Sequence, residues 1–257
     1  MRSTERNTPD SMIARVSEVL KAYMHNEREL TVSELSRRTG IPKASMSRIA
    51  NGLVSHGFLE REGDAFRLGL RLFELGQQAS RSTDLRTLTF PYMSELMSAT
   101  RQTVHLAVLE EREVVYIQIL RSRDTPPLPS RVGGRLPAHA TGVGKALLAF
   151  MADDDVDAVL AGPLAKVGPR TITDPAALRR SLDEVRANRL AYEREESAAN
   201  VGCAAAPLLD MSGRAIAALS VSVNLGTTDL ARMGPAVSSM ARTISRQLGA
   251  RRLPGRA

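Results

Sequence analysis

The sequence predicts an α+β protein in two folding units: a small helical unit ending in a β-hairpin, then a larger unit built on an antiparallel sheet. Three observations lead there. Residues 11–68 carry three short amphipathic stretches followed by a pair of short strands around a glycine. Residues 103–240 carry alternating apolar runs at both ends and helical stretches between them, without a strand–helix–strand rhythm. Charge divides the chain along similar lines: residues 1–80 sum to +2, residues 81–241 to zero and residues 242–257 to +5. The expected partition is 10–69, 70–100 as linker helices, 101–250, and a basic tail at 251–257.

SMIARVSEVLKAYM (11–24) places Ile13, Val16, Val19, Leu20 and Tyr23 on one helical stripe. In TVSELSRRTG, Thr31 and Glu34 have the spacing of a capping box, and Gly40 suits the residue just past the helix end. Pro42 opens the next helix, where its missing N–H costs nothing. There Met46, Ile49, Ala50 and Leu53 share one face; Ser45, Arg48 and Gly52 lie opposite, flanked by Lys43 and Asn51. A small, polar, basic face suits a helix in a DNA major groove, where Arg or Lys can reach guanine edges. GFLEREGDAFRLG then reads as a hairpin turning at Gly63. Helix, helix, helix and hairpin make a winged helix-turn-helix. The candidate contacts to double-stranded operator DNA are Lys43, Ser45, Ser47, Arg48 and Asn51 on the third helix, with Arg61 and Arg67 of the hairpin placed to meet phosphates.

Two helices should bridge the units, one over 69–82 with Leu70, Phe73 and Leu75 apolar. The second should be capped by Asp84, with Pro91 kinking or breaking it. TVHLAVLEER and EVVYIQILRS form an antiparallel pair, with Val104, Leu106 and Val108 on one side and His105 and Ala107 on the other. A Pro- and Gly-rich loop follows at 122–134. Asp153 and Asp174 are placed to cap two helices. GCAAAPLLD and AIAALSVSVN are strands joined at Asp210–Gly213, and a last helix runs from about Asp229 to Ala250.

Composition excludes several classes. No run of 18 apolar residues could span a membrane, and the opening MRSTERNTPDSM has no apolar core of a secretory signal. A single cysteine, Cys203, fits a reducing cytoplasm. Without Trp, a base-stacking platform for single strands is not expected.

LPAHATGVGKALLAF (136–150) has the texture of a phosphate-binding loop, but fails its spacing. Five residues before Gly144 stands His139 rather than Gly, and Lys145 is followed by Ala146 rather than Ser or Thr. Its glycines at the start of a helix instead leave backbone N–H groups that could face an anion, with Lys145 not itself the contact.

This segment, then LAYEREES, then VGCAAAPLLDMSGRAIAALSVSV, in that order behind a winged helix, resembles the IclR family of bacterial transcriptional regulators over about residues 12–250. The resemblance implies a regulator that binds operator DNA, with a GAF/profilin-like C-terminal domain that binds a small effector, commonly a carboxylate or aromatic metabolite. It also implies homodimers or homotetramers, and no cofactor. The effector positions it implies are Leu136, Gly142, Val143, Glu193, Cys203, Ser220 and Ser222, with Glu193 standing where the family more often has Asp. Independently of the resemblance, Ser220 and Ser222 lie two apart on a strand and so share a face. A competing reading is that Gly142 and Gly144 only permit close packing.

Other functions fit less well. Cys203 and His139 could make a nucleophile–base pair, but no third residue orients them, and the cysteine lies in an apolar strand. His105, His139, Glu193 and Cys203 are metal-binding types without metal-binding spacing. The remaining alternative is a DNA-binding oligomer whose C-terminal domain takes no ligand.

Overall fold

The computed structural model describes residues 11–250 except Asn26, Ala79, Asp124 and Pro126; the expected basic tail at 251–257 lies outside them. Residues up to Ser80 form one compact unit and those from Arg81 a second.

In the first unit, α1 (Met12–Lys21) is capped by Ser11 and gives way to a 3₁₀ turn, Ala22–His25, where the sequence pattern continues the α-helix. The turn lets the Tyr23 hydroxyl donate to the Phe66 carbonyl at 2.9 Å, tying the first helix to the hairpin. α2 (Val32–Thr39) starts with the expected reciprocal cap. The Glu34 N–H donates to Thr31 Oγ1 at 3.3 Å, and the Thr31 N–H donates to Glu34 Oε2 at 2.8 Å. Gly40 ends it at φ 75°, a left-handed conformation that costs a residue with a Cβ. α3 (Lys43–Ser55) buries Met46, Ile49, Ala50 and Leu53. The wing has three strands rather than two: β1 (Leu30–Thr31) pairs with β3 (Ala65–Leu68), which also pairs with β2 (Leu59–Glu62). Two residues are too short to show a period in sequence.

The expected linker divides. α4 (Leu70–Gln77) has no buried residue and leaves Leu70, Phe73 and Leu75 exposed. α5 (Ser80–Thr100) begins four residues before the expected cap at Asp84, and Pro91 does not end it. Its Leu85, Met93 and Leu96 are core residues of the second unit.

That unit is a six-stranded, wholly antiparallel sheet. β4 (Thr103–Glu110), β5 (Glu113–Leu120), β6 (Arg135–Pro137), β7 (Ala191–Arg194), β8 (Val201–Leu209) and β9 (Ala215–Asn224) lie in the order β6-β5-β4-β9-β8-β7. The short edge strands β6 and β7 are elements the sequence reading did not assign. Helices cover both faces, so both faces are apolar. Val104, Leu106, Ala204, Ala206, Leu219 and Val221 pack with α5 and with Val237, Ala241, Ile244 and Leu248 of α9 (Met233–Ala250). Ala107, Tyr116, Cys203, Ala205 and Ala218 point the other way, among α6 (Gly142–Leu148), α7 (Asp153–Leu160) and α8 (Pro175–Asn188). Asp174 caps α8 by accepting from the Ala177 N–H at 2.8 Å. Asp153 is the first residue of α7 rather than its cap. Ala152 holds the cap position, and Asp153, Asp154 and Asp155 face the positive helix end. The last helix starts later than Asp229, which instead caps a 3₁₀ turn, Leu230–Arg232.

Thr31→Ala removes one half of the capping box, and unfolding in urea should show a loss of about 1 kcal/mol. An unchanged midpoint would contradict the role given to this cap.

Candidate functional site

Two surfaces carry chemistry. On α3, opposite the buried residues, Lys43, Ala44, Arg48, Asn51, Gly52 and Ser55 are exposed. Among the described residues, neither Lys43 nor Arg48 has an ion partner, so both charges are available. Ser45 and Ser47 are half-buried at the edges of the face, while Ala44 and Ser55 belong to it. The sequence wheel, centred on Ser45 and Gly52, was rotated away from the actual centre near Asn51. Arg61 donates to Asn51 Oδ1 at 2.6 Å and lies over the Phe66 ring at 4.8 Å, which fixes the wing against α3. Arg67 is held by Glu60 at 2.9 Å and Glu62 at 3.2 Å, so a phosphate would compete with two carboxylates for it.

The second surface is a partly open cavity on the α6 side of the sheet, where the space free of atoms, open solvent at the mouth included, comes to about 330 Å³. Strand register builds its floor. Glu193 pairs with Cys203, Cys203 with Ser222, and Ser220 with His105. Because these residues alternate with apolar ones facing α9, two neighbouring rows of side chains, Glu193–Cys203–Ser222 and Ser220–His105, lie on one face of the sheet. His105 bonds through Nε2 to Ser130 Oγ at 2.8 Å, and its Nδ1 lies 3.5 Å from Ser222 Oγ. Tyr116, Leu128, Pro129, Leu136, Val143 and Val201 supply apolar walls.

Burial sets the charge states. It pushes the His105 imidazole down to about 3, with help from Arg121, so the ring is neutral. It pushes the Cys203 thiol up to about 12, with the Glu193 carboxyl adding to the effect. A thiol so held is a poor nucleophile at neutral pH. His139, the other half of the imagined pair, spends Nε2 on the Ala165 carbonyl at 2.9 Å. Burial also lifts the Glu193 carboxyl to about 7, reinforced by the Glu196 charge and opposed by N–H groups of Ser197 and Glu196 and by Lys145. Those two N–H groups reach Glu193 Oε1 at 3.0 and 2.5 Å.

Lys145 is almost completely buried and outside the cavity lining. Its Nζ donates to Glu196 Oε1 at 2.5 Å and to the Tyr192 carbonyl at 2.9 Å, pinning α6 to β7 and the turn beyond it. The glycines of the same segment have packing reasons. A Cβ on Gly142 would stand 2.9 Å from Cys203 Sγ, and one on Gly144 would run into the Ala138 carbonyl. The Gly144 N–H is also taken, by Thr141 Oγ1 at 3.0 Å. The expectation of free N–H groups therefore contracts to Gly142 and Val143, which line the cavity.

Comparison with known proteins decides the family. The family described as bacterial transcriptional regulator IclR C-terminal matches residues 77–246, and the IclR helix-turn-helix domain matches residues 12–63. The chain belongs to the IclR family of bacterial transcriptional regulators. It is 35% identical to the HTH-type transcriptional regulator KdgR of Escherichia coli K12 over 94% of each chain. It is 31% identical to the regulator XynR of the same organism, over 92% of this chain and 96% of the relative. Among solved structures, an IclR homolog from Microbacterium hydrocarbonoxydans complexed with 4-hydroxybenzoate superposes with a TM-score of 0.87 at 33% identity, covering 94% of this chain and all of that one. These relatives are named as regulators rather than enzymes.

For this IclR member, all seven effector positions expected from sequence line the one cavity: Leu136, Gly142, Val143, Glu193, Cys203, Ser220 and Ser222. Sequence reasoning missed Tyr116, Ser130, Thr141 and Ser197, and treated His105 only as a metal-type residue. His105 was findable, since alternation put it on the face opposite Val104 and Leu106. Ser130 was not, because it reaches His105 from a loop 25 residues on.

Lys145→Met leaves the Glu196 carboxylate buried without its cation and should cost about 3–5 kcal/mol in urea unfolding. Adding Glu196→Leu should recover most of that, because the pair is then replaced by apolar groups. Additive losses would show that the two residues act separately.

Proposed function

We propose that this regulator binds operator DNA through α3 and its wing, and that a small carboxylate or aromatic metabolite in the sheet cavity sets that affinity. The observation that carries the effector reading is the cavity itself. Serines, a neutral histidine and a carboxyl share the floor between apolar walls. That pattern suits a small molecule with a flat or aliphatic body and polar ends. The 4-hydroxybenzoate complex of the Microbacterium homolog supports the same class. Lys43, Ser45, Ser47, Arg48, Asn51, Arg61 and Arg67 are the proposed DNA contacts. Arg48 and Lys43 rank highest, because they are exposed and unpaired, and Arg67 lowest. The exposed Leu70 and Phe73, three apart on α4, support assembly into a homodimer or homotetramer.

Arg48→Ala and Lys43→Ala should each weaken binding to DNA from the gene's own upstream region by about 1–3 kcal/mol where the side chain reads a base. If both variants bind as tightly as the parent at equal salt, the α3 assignment fails.

A thermal-shift screen of small carboxylates and aromatics tests the sensor reading. A ligand at a hundred times its dissociation constant stabilises by about 2.7 kcal/mol. Silence across a broad library would favour a domain that only assembles.

A further inference from the structure

The cavity holds a carboxyl and no cation. Among the described residues its lining contains neither Lys nor Arg. The nearest ammonium, Lys145, is committed to Glu196 and to the Tyr192 carbonyl. Arg121 beside His105 donates to the Ser130 carbonyl at 2.5 Å and is not part of the lining. Glu193, by contrast, is 1% exposed and lines the cavity directly. Both of its hydrogen bonds fall on Oε1, and among the described residues Oε2 has no protein donor. A carboxylate entering here meets a carboxylate, in a medium that screens poorly.

We propose that this site takes an acid effector together with one proton, which Glu193 accepts, so that the charge inside the cavity does not change on binding. This rests on the effector reading above and specifies its regulation. In the neutral form, Glu193 turns from a repelling anion into an O–H donor aimed at the ligand, while Oε1 still accepts from the Glu196 and Ser197 N–H groups.

The groups that face Glu193 show where the proton goes. From β8 comes Cys203, whose thiol is already protonated; from β5 comes Tyr116, whose phenol burial likewise holds protonated. From its own turn comes Glu196, neutralised by Lys145 of α6. From β4 comes His105, which would have to climb from about 3 to hold a proton at neutral pH, whereas Glu193 starts from about 7. The smaller climb wins.

The sign follows. Below about pH 7, Glu193 is already protonated in the free protein, and the affinity for an ionised acid is flat. Above about pH 7 the proton must be taken from solvent, and affinity falls by about tenfold per pH unit until the bound-state value is passed. A neutral ligand shows no such fall.

The test uses the full-length protein and a set of small monocarboxylates, each paired with its carboxamide, 4-hydroxybenzoate and 4-hydroxybenzamide among them. Calorimetry in two buffers of different ionisation enthalpy counts protons. For an acid that binds, uptake should approach about one at pH 8.5 and about zero at pH 5.5, and Glu193→Gln should abolish both the uptake and the pH slope. The glutamine keeps an acceptor for both N–H groups, and the circular dichroism melt of the variant checks its fold. An acid that binds with no uptake, or with the same uptake in Glu193→Gln, overturns the inference and leaves the effector reading standing. In that case the serine hydroxyls and the Gly142 and Val143 amides carry the charge. Binding of carboxamides alone also overturns it, by changing the ligand class. Binding of nothing in the set removes the acid-effector reading and this inference with it.

Discussion

The cavity depends on one buried ion pair that is not part of its lining. α6 forms one wall and the turn after β7 forms another, and nothing in the backbone ladder joins them. Lys145 joins them. Its ammonium, outside the cavity lining, reaches the Glu196 carboxylate and the Tyr192 carbonyl. An ion pair this deep adds little net stability, because desolvating two charges offsets most of their attraction. What it adds is position. With Glu196 held, its N–H stays aimed at Glu193 Oε1, and the acid of the cavity is fixed rather than free to swing toward solvent.

The second constraint is the sheet's two-sidedness. Residues on β4, β8 and β9 alternate between a dry face against α5 and α9 and a face against α6 on which the polar side chains sit. A one-residue slip of β9 against β8 would send Ser220 and Ser222 into the apolar core and bring Leu219 and Val221 to the cavity. Register is therefore strongly specified, and site and fold are set by the same pairing. The small residues Ala204, Ala205 and Ala206 on β8 let α6 and α9 approach a sheet that is covered on both sides.

This division explains what was legible in the sequence. Elements with a period were readable: the α3 stripe, the β4–β5 pair, the β8–β9 pair, and the caps at Thr31 and Asp174. Short strands without a turn to mark them were not: β1, β6 and β7 were missed, though β6 carries Leu136 and β7 carries Glu193, whereas the four-residue β2 and β3 were readable from the glycine turn between them. The start of α5 was misplaced because Asp84 looks like a cap in sequence, whereas the helix begins at Ser80 and Asp84 lies inside it. In the cavity, the strand residues came from pattern and resemblance. Ser130 and Ser197 come from irregular segments, whose approach is decided by packing rather than by local propensity.

The segment that looks like a phosphate loop shows how one composition serves another end. Phosphate loops use glycine so that a ligand can approach the backbone. Here Gly144 lets the Ala138 carbonyl approach, and Gly142 lets Cys203 approach, so the close neighbours are the protein's own atoms. A phosphate loop points its lysine at the ligand. Here the lysine is buried against a carboxylate in the turn after β7. A lysine left in the cavity would have supplied the countercharge for an anion. With Lys145 spent on holding the walls, the cavity offers hydroxyls, a neutral ring and one carboxyl, and under the proposal above the burden of matching an acid's charge would fall on Glu193.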